Sequence, residues 1–175
     1  MYDIEYLLKG SELQQKVYNV LAESKILEKL KDYNPILVGS IPISVYLFDS
    51  DIDIICYYKN KQEFSDFIVT SFVEQEDFYK DEFDSYGNET VTANFKIAGF
   101  DFEIFGQNIP THLQLGYQHM IIEKRLLDKY GDALRQYIIT EKRKGVKTEP
   151  AFCNWLGIKG NPYIEILNPE NLNLK

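Results

Sequence analysis

Residues 91 to 105 leave the chain little conformational choice. Val91, Ala93, Phe95 and Ile97 alternate with polar residues, Ala98-Gly99 interrupts them, and Phe100-Asp101-Phe102-Glu103-Ile104-Phe105 resumes the alternation. Successive side chains of a strand point to opposite faces, so this pattern is a half-buried antiparallel hairpin closed by a two-residue turn. A turn of fixed length fixes the register. Ile97 then faces Phe100 and Phe95 faces Phe102 on the buried side, while Lys96 lies opposite Asp101 and Asn94 opposite Glu103 on the other. Asp101 is thereby given a cation of its own, and Glu103 is left without one.

The rest of the chain supplies what such a hairpin needs to be covered. Ser11-Glu12-Leu13-Gln14 reads as a capping box that starts a helix at about residue 12, with a break near Ser24 and an end at Asn34-Pro35. Ile36-Leu37-Val38 and residues 52 to 58 read as strands, 61 to 74 as a helix with Phe64, Phe67, Ile68 and Phe72 on one face, 77 to 83 as a strand, and Tyr86-Gly87-Asn88 as a turn. From Pro110 the pattern is helical, over about 111–129, 131–144 and a short helix opened by a cap at Thr148-Glu149-Pro150. This order predicts an α+β fold, a mixed sheet flanked by helices with a C-terminal helical region. At 175 residues and 45% apolar the chain forms one compact unit, divided here into a core over 1–108 and a helical region over 109–175 packed on it.

Chemistry concentrates in Val38-Gly39-Ser40 and, ten residues on, Asp51-Ile52-Asp53-Ile54. Alternate strand residues put the Asp51 and Asp53 carboxylates on one face about 6.6 Å apart, a spacing that one or two divalent cations can bridge. Gly39 allows backbone to approach a phosphate closely, and Ser40 adds an amide and a hydroxyl. Metal-assisted phosphoryl transfer asks for a third carboxylate from a neighbouring strand, and the register above selects Glu103. A phosphatase class that also uses Asp-x-Asp has its apolar strand before the acids; here the apolar run follows them.

These residues resemble the nucleotidyltransferase superfamily that includes DNA polymerase beta. Gly39-Ser40-Ile41-Pro42-Ile43, Ser50-Asp51-Ile52-Asp53-Ile54-Ile55-Cys56, Glu103-Ile104-Phe105-Gly106-Gln107, His119 to Leu127 and Lys147 to Phe152 are similar, more closely, to a bacterial family known as domain of unknown function 4269. The resemblance implies a minimal nucleotidyltransferase core with an appended helical region, and no particular acceptor. The function expected is transfer of a nucleoside monophosphate from a nucleoside triphosphate, ATP foremost, to an acceptor hydroxyl. Asp51, Asp53 and Glu103 are then the catalytic residues and the Mg²⁺ (or Mn²⁺) ligands. Gly39 and Ser40 hold the triphosphate, and Arg125 and Lys147 are nucleotide contacts. Asp49 and Asp101 stand outside the motif. The rival expectation is a non-catalytic member of the fold that binds nucleotide or protein, such as one half of a two-protein regulatory pair.

Two further groups bear on the nucleotide. Lys142-Arg143-Lys144 and Lys147 form a basic cluster, which either complements a helix C-terminus or makes an electropositive wall for phosphate; Arg125, Arg143, Lys144 and Lys147 are the residues expected to face the carboxylates from a helical wall over Pro110–Leu167. His112 and His119 lie too far apart along a helix, about 10.5 Å, to share a metal. His119 and Glu123, four apart, are placed to hydrogen-bond, and Trp155 reads as core. The net charge of −8 argues against general nucleic-acid binding. Acids in Met1-Tyr2-Asp3-Ile4-Glu5, a Pro110 break in the uncharged run from Ile104 to Ile122, and two separated cysteines, Cys56 and Cys153, point to a cytoplasmic chain without a membrane span or disulfide. The expected partners are a nucleoside triphosphate and an unknown acceptor, either a small molecule or a protein.

Overall fold

The computed structural model describes residues 4–172, so Met1, Tyr2 and Asp3 of the N-terminal reading lie outside the described residues. Five strands, β1 (Ile36–Val38), β2 (Ile52–Tyr57), β3 (Glu76–Ser85), β4 (Asn88–Ile97) and β5 (Phe100–Gln107), form one mixed sheet in the order β1-β2-β5-β4-β3. Two hairpins build its far half. The Ala98-Gly99 turn has φ of 51° and 78°, the mirror-image turn whose twist matches that of the strands, and Tyr86-Gly87 repeats it with 53° and 78°. The β4–β5 register is the one the alternation predicts, with Phe95 opposite Phe102, Lys96 opposite Asp101 and Asn94 opposite Glu103. Lys96 does lie 3.9 Å from Asp101, but its shorter ion pair, 2.7 Å, is with Asp77.

The two faces of the sheet have separate duties. Ile52, Ile54, Phe102, Ile104, Val91, Ala93 and Phe95 are buried on one face beneath α1 (Glu12–Ser24), which the short α2 (Ile26–Lys29) follows, and α3 (Lys61–Phe72). There Phe72, Phe95 and Phe102 stack in series, with centroids 4.9 and 5.7 Å apart, an arrangement that adds to simple burial. The opposite face carries Ile36, Val38 and Ile55, against which the first part of α4 (Leu115–Arg143) packs through Tyr117 and Met120. Gly116 brings that helix close, because even an added methyl would lie in ordinary contact with Ile55 and Val38. Gln114 Nε2 donates to the carbonyls of Cys56 and Ile109, each at 2.8 Å, and so fixes the helix start against β2.

Gly131, with φ 63° and ψ −149°, breaks α4 where the sequence places the boundary between two helices. Leu126, Leu127, Leu134 and Ile138 then form a second core with Ala151, Phe152 and Cys153 of α5 (Thr148–Leu156) and with Ile43 and Val45 from the segment after β1. Both cysteines are free and buried. The cap of α5 falls one residue earlier than expected: Lys147 holds the extended N-cap position without a side-chain bond, and Thr148 is the first helical residue. Trp155 is more than a third exposed, lying against Tyr137 and Tyr130 on the outside of this core rather than within it. Among the described residues no helix is long and apolar enough to cross a membrane.

Candidate active site

Parallel pairing of β2 with β5 sets Asp53 directly opposite Glu103. Asp51, two residues before Asp53, shares its side of the chain. On the other flank β1 runs antiparallel to β2 with Val38 opposite Asp53, so the chain leaving β1 turns immediately over that carboxylate. Gly39 makes the turn at φ +79°, and a Cβ there would stand 2.0 Å from Asp53 Oδ2. Only glycine satisfies both the backbone angle and the contact. Asp51, Asp53, Glu103, Gly39 and Ser40 all line one cavity of about 690 Å³.

The carboxylates in this cavity raise one another's proton affinity. Burial, followed by repulsion from Glu103 and Asp51, pushes the Asp53 carboxyl up to about 8. Burial also raises Glu103, with Asp51 adding and Lys147 opposing. Asp51 is raised by burial and then by Asp101, with Lys147 and Lys142 pulling the other way. Three mutually repelling acids lining one cavity, all with oxygen donors, suit a hard divalent cation such as Mg²⁺. Among the described residues no three His, Cys, Asp or Glu side chains are gathered tightly enough to hold a metal ion as they stand; the three acids share a cavity, and a cation would have to draw them together.

The second wall is helical. Leu115, His119 and Glu123, spaced by four along α4, lie along the cavity with Gly116 and Met120 between them. Lys142, the stretch from Gly145 to Glu149, and Tyr163 complete it. His119 is buried at 6% exposure, not a surface or cap residue, and its partner is not Glu123. Its Nε2 donates to the Tyr163 carbonyl at 2.8 Å, and its Nδ1 lies 3.2 Å from Glu149 Oε1. A carbonyl only accepts, so one proton sits on Nε2. The Nδ1–Glu149 contact therefore needs a second proton, on the ring or on the carboxyl. Glu149 is held low, burial being outweighed by the His119 hydrogen bond and the charges of His119 and Lys142. Glu123 is raised well above the usual carboxylate range, by burial first and then by Glu149. Burial lowers Lys142, with Glu123, Asp53 and Glu149 opposing.

Of the residues expected to hold nucleotide, Lys147 joins Gly39 and Ser40 at the cavity, whereas Arg125 is exposed on α4 and is not among the lining residues. Arg143 and Lys144 are likewise exposed and off the cavity, Lys144 pairing with Glu141 at 2.6 Å. His112 sits in a separate short turn, Thr111–Leu113, so it does not share a helix with His119. Sequence reasoning missed Glu123, Glu149 and Tyr163 as cavity residues, and placed Lys142 in the basic cluster without separating it from Arg143 and Lys144. The four-residue spacing of His119 and Glu123 was the available signal, and it marks a common face rather than a mutual bond.

Comparison with known proteins bears on both family and fold. The family model for a domain of unknown function, DUF4269, matches residues 19–169. No curated protein matches the chain. Among solved structures, the chain is similar to the Cid1 poly(U) polymerase with MgGTP bound, at 11% identity and a TM-score of 0.55 over 79% of this chain and 46% of that one. It is also similar to a cytoplasmic RNA terminal U-transferase, at 13% identity and a TM-score of 0.57 over 83% and 48%. The polymerase core of TRAMP gives 13% identity and a TM-score of 0.53 over 90% and 49%. The chain thus spans about half the length of these structures. At such identities the likeness is one of fold, a nucleotidyltransferase-like mixed sheet with flanking helices.

Proposed function

The chain belongs to the family of domain of unknown function DUF4269, and on that footing we propose that it is a metal-dependent nucleotidyltransferase moving a nucleoside monophosphate from a nucleoside triphosphate to an acceptor hydroxyl. The observation that carries this is the Asp53–Glu103 pairing across β2 and β5, with Asp51 beside it and the Gly39 turn closed over Asp53, all on one cavity. Asp51, Asp53 and Glu103 would hold Mg²⁺ or Mn²⁺, which supplies charge neutralisation at the transferring phosphoryl group and at the leaving pyrophosphate.

The chain's own groups do the rest. The turn at Gly39 and Ser40 presents backbone to the triphosphate, and Lys147 and Lys142 face it from the helical wall and offset its charge. Glu103 accepts the acceptor's proton as the new bond from oxygen to the α-phosphorus forms and the bond to the bridging oxygen breaks, releasing pyrophosphate. In this reading residues 1–108 carry the reacting centre and residues 109–175 close it from above. ATP is the expected donor, and the cytoplasm, rich in nucleotide and Mg²⁺, is the expected location, in keeping with two free buried cysteines.

Calorimetry with ATP, with and without Mg²⁺, on the natural protein and an Asp51→Asn, Asp53→Asn double variant tests the reading. Binding is expected only in the natural protein with Mg²⁺. ATP binding that ignores both the metal and the double substitution would remove the proposal, and metal-dependent binding without turnover on any hydroxyl acceptor would favour a non-catalytic nucleotide-binding role.

A further inference from the structure

The cavity carries more acidic side chains than nucleotide transfer uses. Six carboxylates line it, Asp49, Asp51, Asp53, Glu103, Glu123 and Glu149, against Lys142, Lys147 and the His119 ring. A nucleoside triphosphate with two divalent cations is close to neutral, so its arrival leaves that surplus in place. Glu123 and Glu149 belong to the helical wall, and the transfer reaction assigns them no task.

Glu123 shows where the surplus is felt most. It is only 3% exposed, it lines the cavity, and its Oε1 accepts no hydrogen bond. A buried carboxyl oxygen without a donor has lost its solvation and gained nothing in return. The cationic groups nearby do not relieve it. His119 is engaged by the Tyr163 carbonyl and Glu149, and Lys142 acts on Glu123 and Glu149 through its charge alone, with no hydrogen bond to either. What would complete the wall is an N–H donor from outside the chain that also brings positive charge.

We propose that Glu123 and Glu149 form an ammonium-binding subsite beside the nucleotide, so that the acceptor is a small hydroxyl compound bearing a primary amine. The hydroxyl half of this statement rests on the nucleotidyltransferase reading; the amine half rests on the wall alone. An amine held as ammonium has its lone pair occupied by a proton, so it cannot attack phosphorus. Transfer is thereby directed to oxygen: the acceptor O–Pα bond forms, the bond from Pα to the bridging oxygen breaks, pyrophosphate leaves, and the hydroxyl proton passes to Glu103. The cavity, about 690 Å³ in all, admits a small acceptor beside the nucleotide.

The test compares 1,3-diaminopropan-2-ol, a hydroxyl flanked by two ammonium groups, with glycerol, its uncharged counterpart, by calorimetry in millimolar Mg²⁺ with and without ATP. The natural protein is expected to bind the diamine at least tenfold more tightly than glycerol, and Glu123→Gln, which keeps the shape and removes the charge, is expected to lower that affinity about tenfold. Glu149→Gln should act in the same direction. Equal affinity for diamine and glycerol overturns the proposal without recourse to any variant, and so does unchanged diamine binding in the folded Glu123→Gln protein. Mg²⁺-dependent ATP binding with no preference for the amine would remove the subsite and leave the transferase reading standing. Diamine binding that depends on Glu123, in a protein that does not bind ATP, would do the reverse.

Discussion

Replacing Asp53 by Asn should stabilise the protein in the absence of metal. In the folded chain the Asp53 carboxyl is pushed up to about 8 from 3.8, chiefly by burial and then by Glu103 and Asp51. A carboxyl with a raised folded pKa lends its full stability below the unfolded pKa, and that stability drains away as pH climbs from about 4 towards 8. At pH 7 the loss spans about three pH units at 1.36 kcal/mol each, or about 4 kcal/mol; protonation shared with Glu103 and Asp51 brings the net to about 2–4 kcal/mol. Asn keeps the shape under Gly39 and removes the charge, so it recovers this amount. For a chain of this size the melting temperature rises by roughly 2–4 °C per kcal/mol, hence by roughly 5–15 °C at pH 7 with chelator present. At pH 5 the advantage shrinks to about 1–2 kcal/mol, because the unfolded chain, whose Asp53 titrates near the ordinary 3.8, then gains far less by ionising. Added Mg²⁺ should raise the melting temperature of the natural protein and do much less for the variant. Thermal melts at pH 5 and 7, with chelator or 5 mM Mg²⁺, give the four values needed. A variant that melts at or below the natural protein at pH 7 without metal, or an advantage that fails to shrink at pH 5, would refute the electrostatic account of the site.

Three more outcomes follow from the same geometry. Gly39→Ala should lower stability by about 2 kcal/mol or more and weaken MgATP binding, since φ is +79° and the new methyl would stand 2.0 Å from Asp53 Oδ2; chemical denaturation and calorimetry read the two effects. Lys147→Glu should weaken MgATP binding by about tenfold, roughly 1.4 kcal/mol, with a reduced dependence on salt, whereas Arg143→Glu, exposed and off the cavity, should cost far less. Arg135→Ala should lower stability by about 1–3 kcal/mol in a denaturant melt, because it leaves the Ile43 and Ser44 carbonyls without their charged donor.

What could be read from the sequence is local. The β4–β5 register follows from a two-residue turn and alternation, which set Lys96 opposite Asp101 and leave Glu103 opposite Asn94. The Asp53–Glu103 pairing depends on a parallel contact between segments some fifty residues apart, and nothing in either segment specifies which residue meets which. The helical wall was harder. Arg125 follows Glu123 by two residues, about 200° around a helix, so once Glu123 faces the cavity Arg125 must face water. Which way α4 faces is decided by its packing on Val38 and Ile55, and the approach of Lys142 is decided beyond the break at Gly131. Neither is encoded at the residues concerned. Lys142 was visible as part of a basic cluster, but its burial, which separates it from Arg143 and Lys144, is a tertiary property.

The segment from Ile41 to Ser50 is held from both ends of the chain. Gln14 Nε2, near the start, donates to the Ile41 carbonyl at 2.8 Å, and Arg135 Nη1, in the helical region, donates to the carbonyls of Ile43 and Ser44 at 2.7 and 2.9 Å. Ile43 and Val45 are buried in the helical core rather than beneath the sheet, an attachment of about 3–6 kcal/mol for two aliphatic side chains. This segment sets the distance between the turn at Gly39-Ser40 and the acids at Asp51 and Asp53. The acid cluster is therefore not a module that can be cut out at residue 108: a truncated chain would keep Asp51, Asp53 and Glu103 and lose the ruler that spaces them from the Gly39-Ser40 turn. Grafting this cavity onto another scaffold, or shortening the protein, would have to carry the helices along as part of the measuring device.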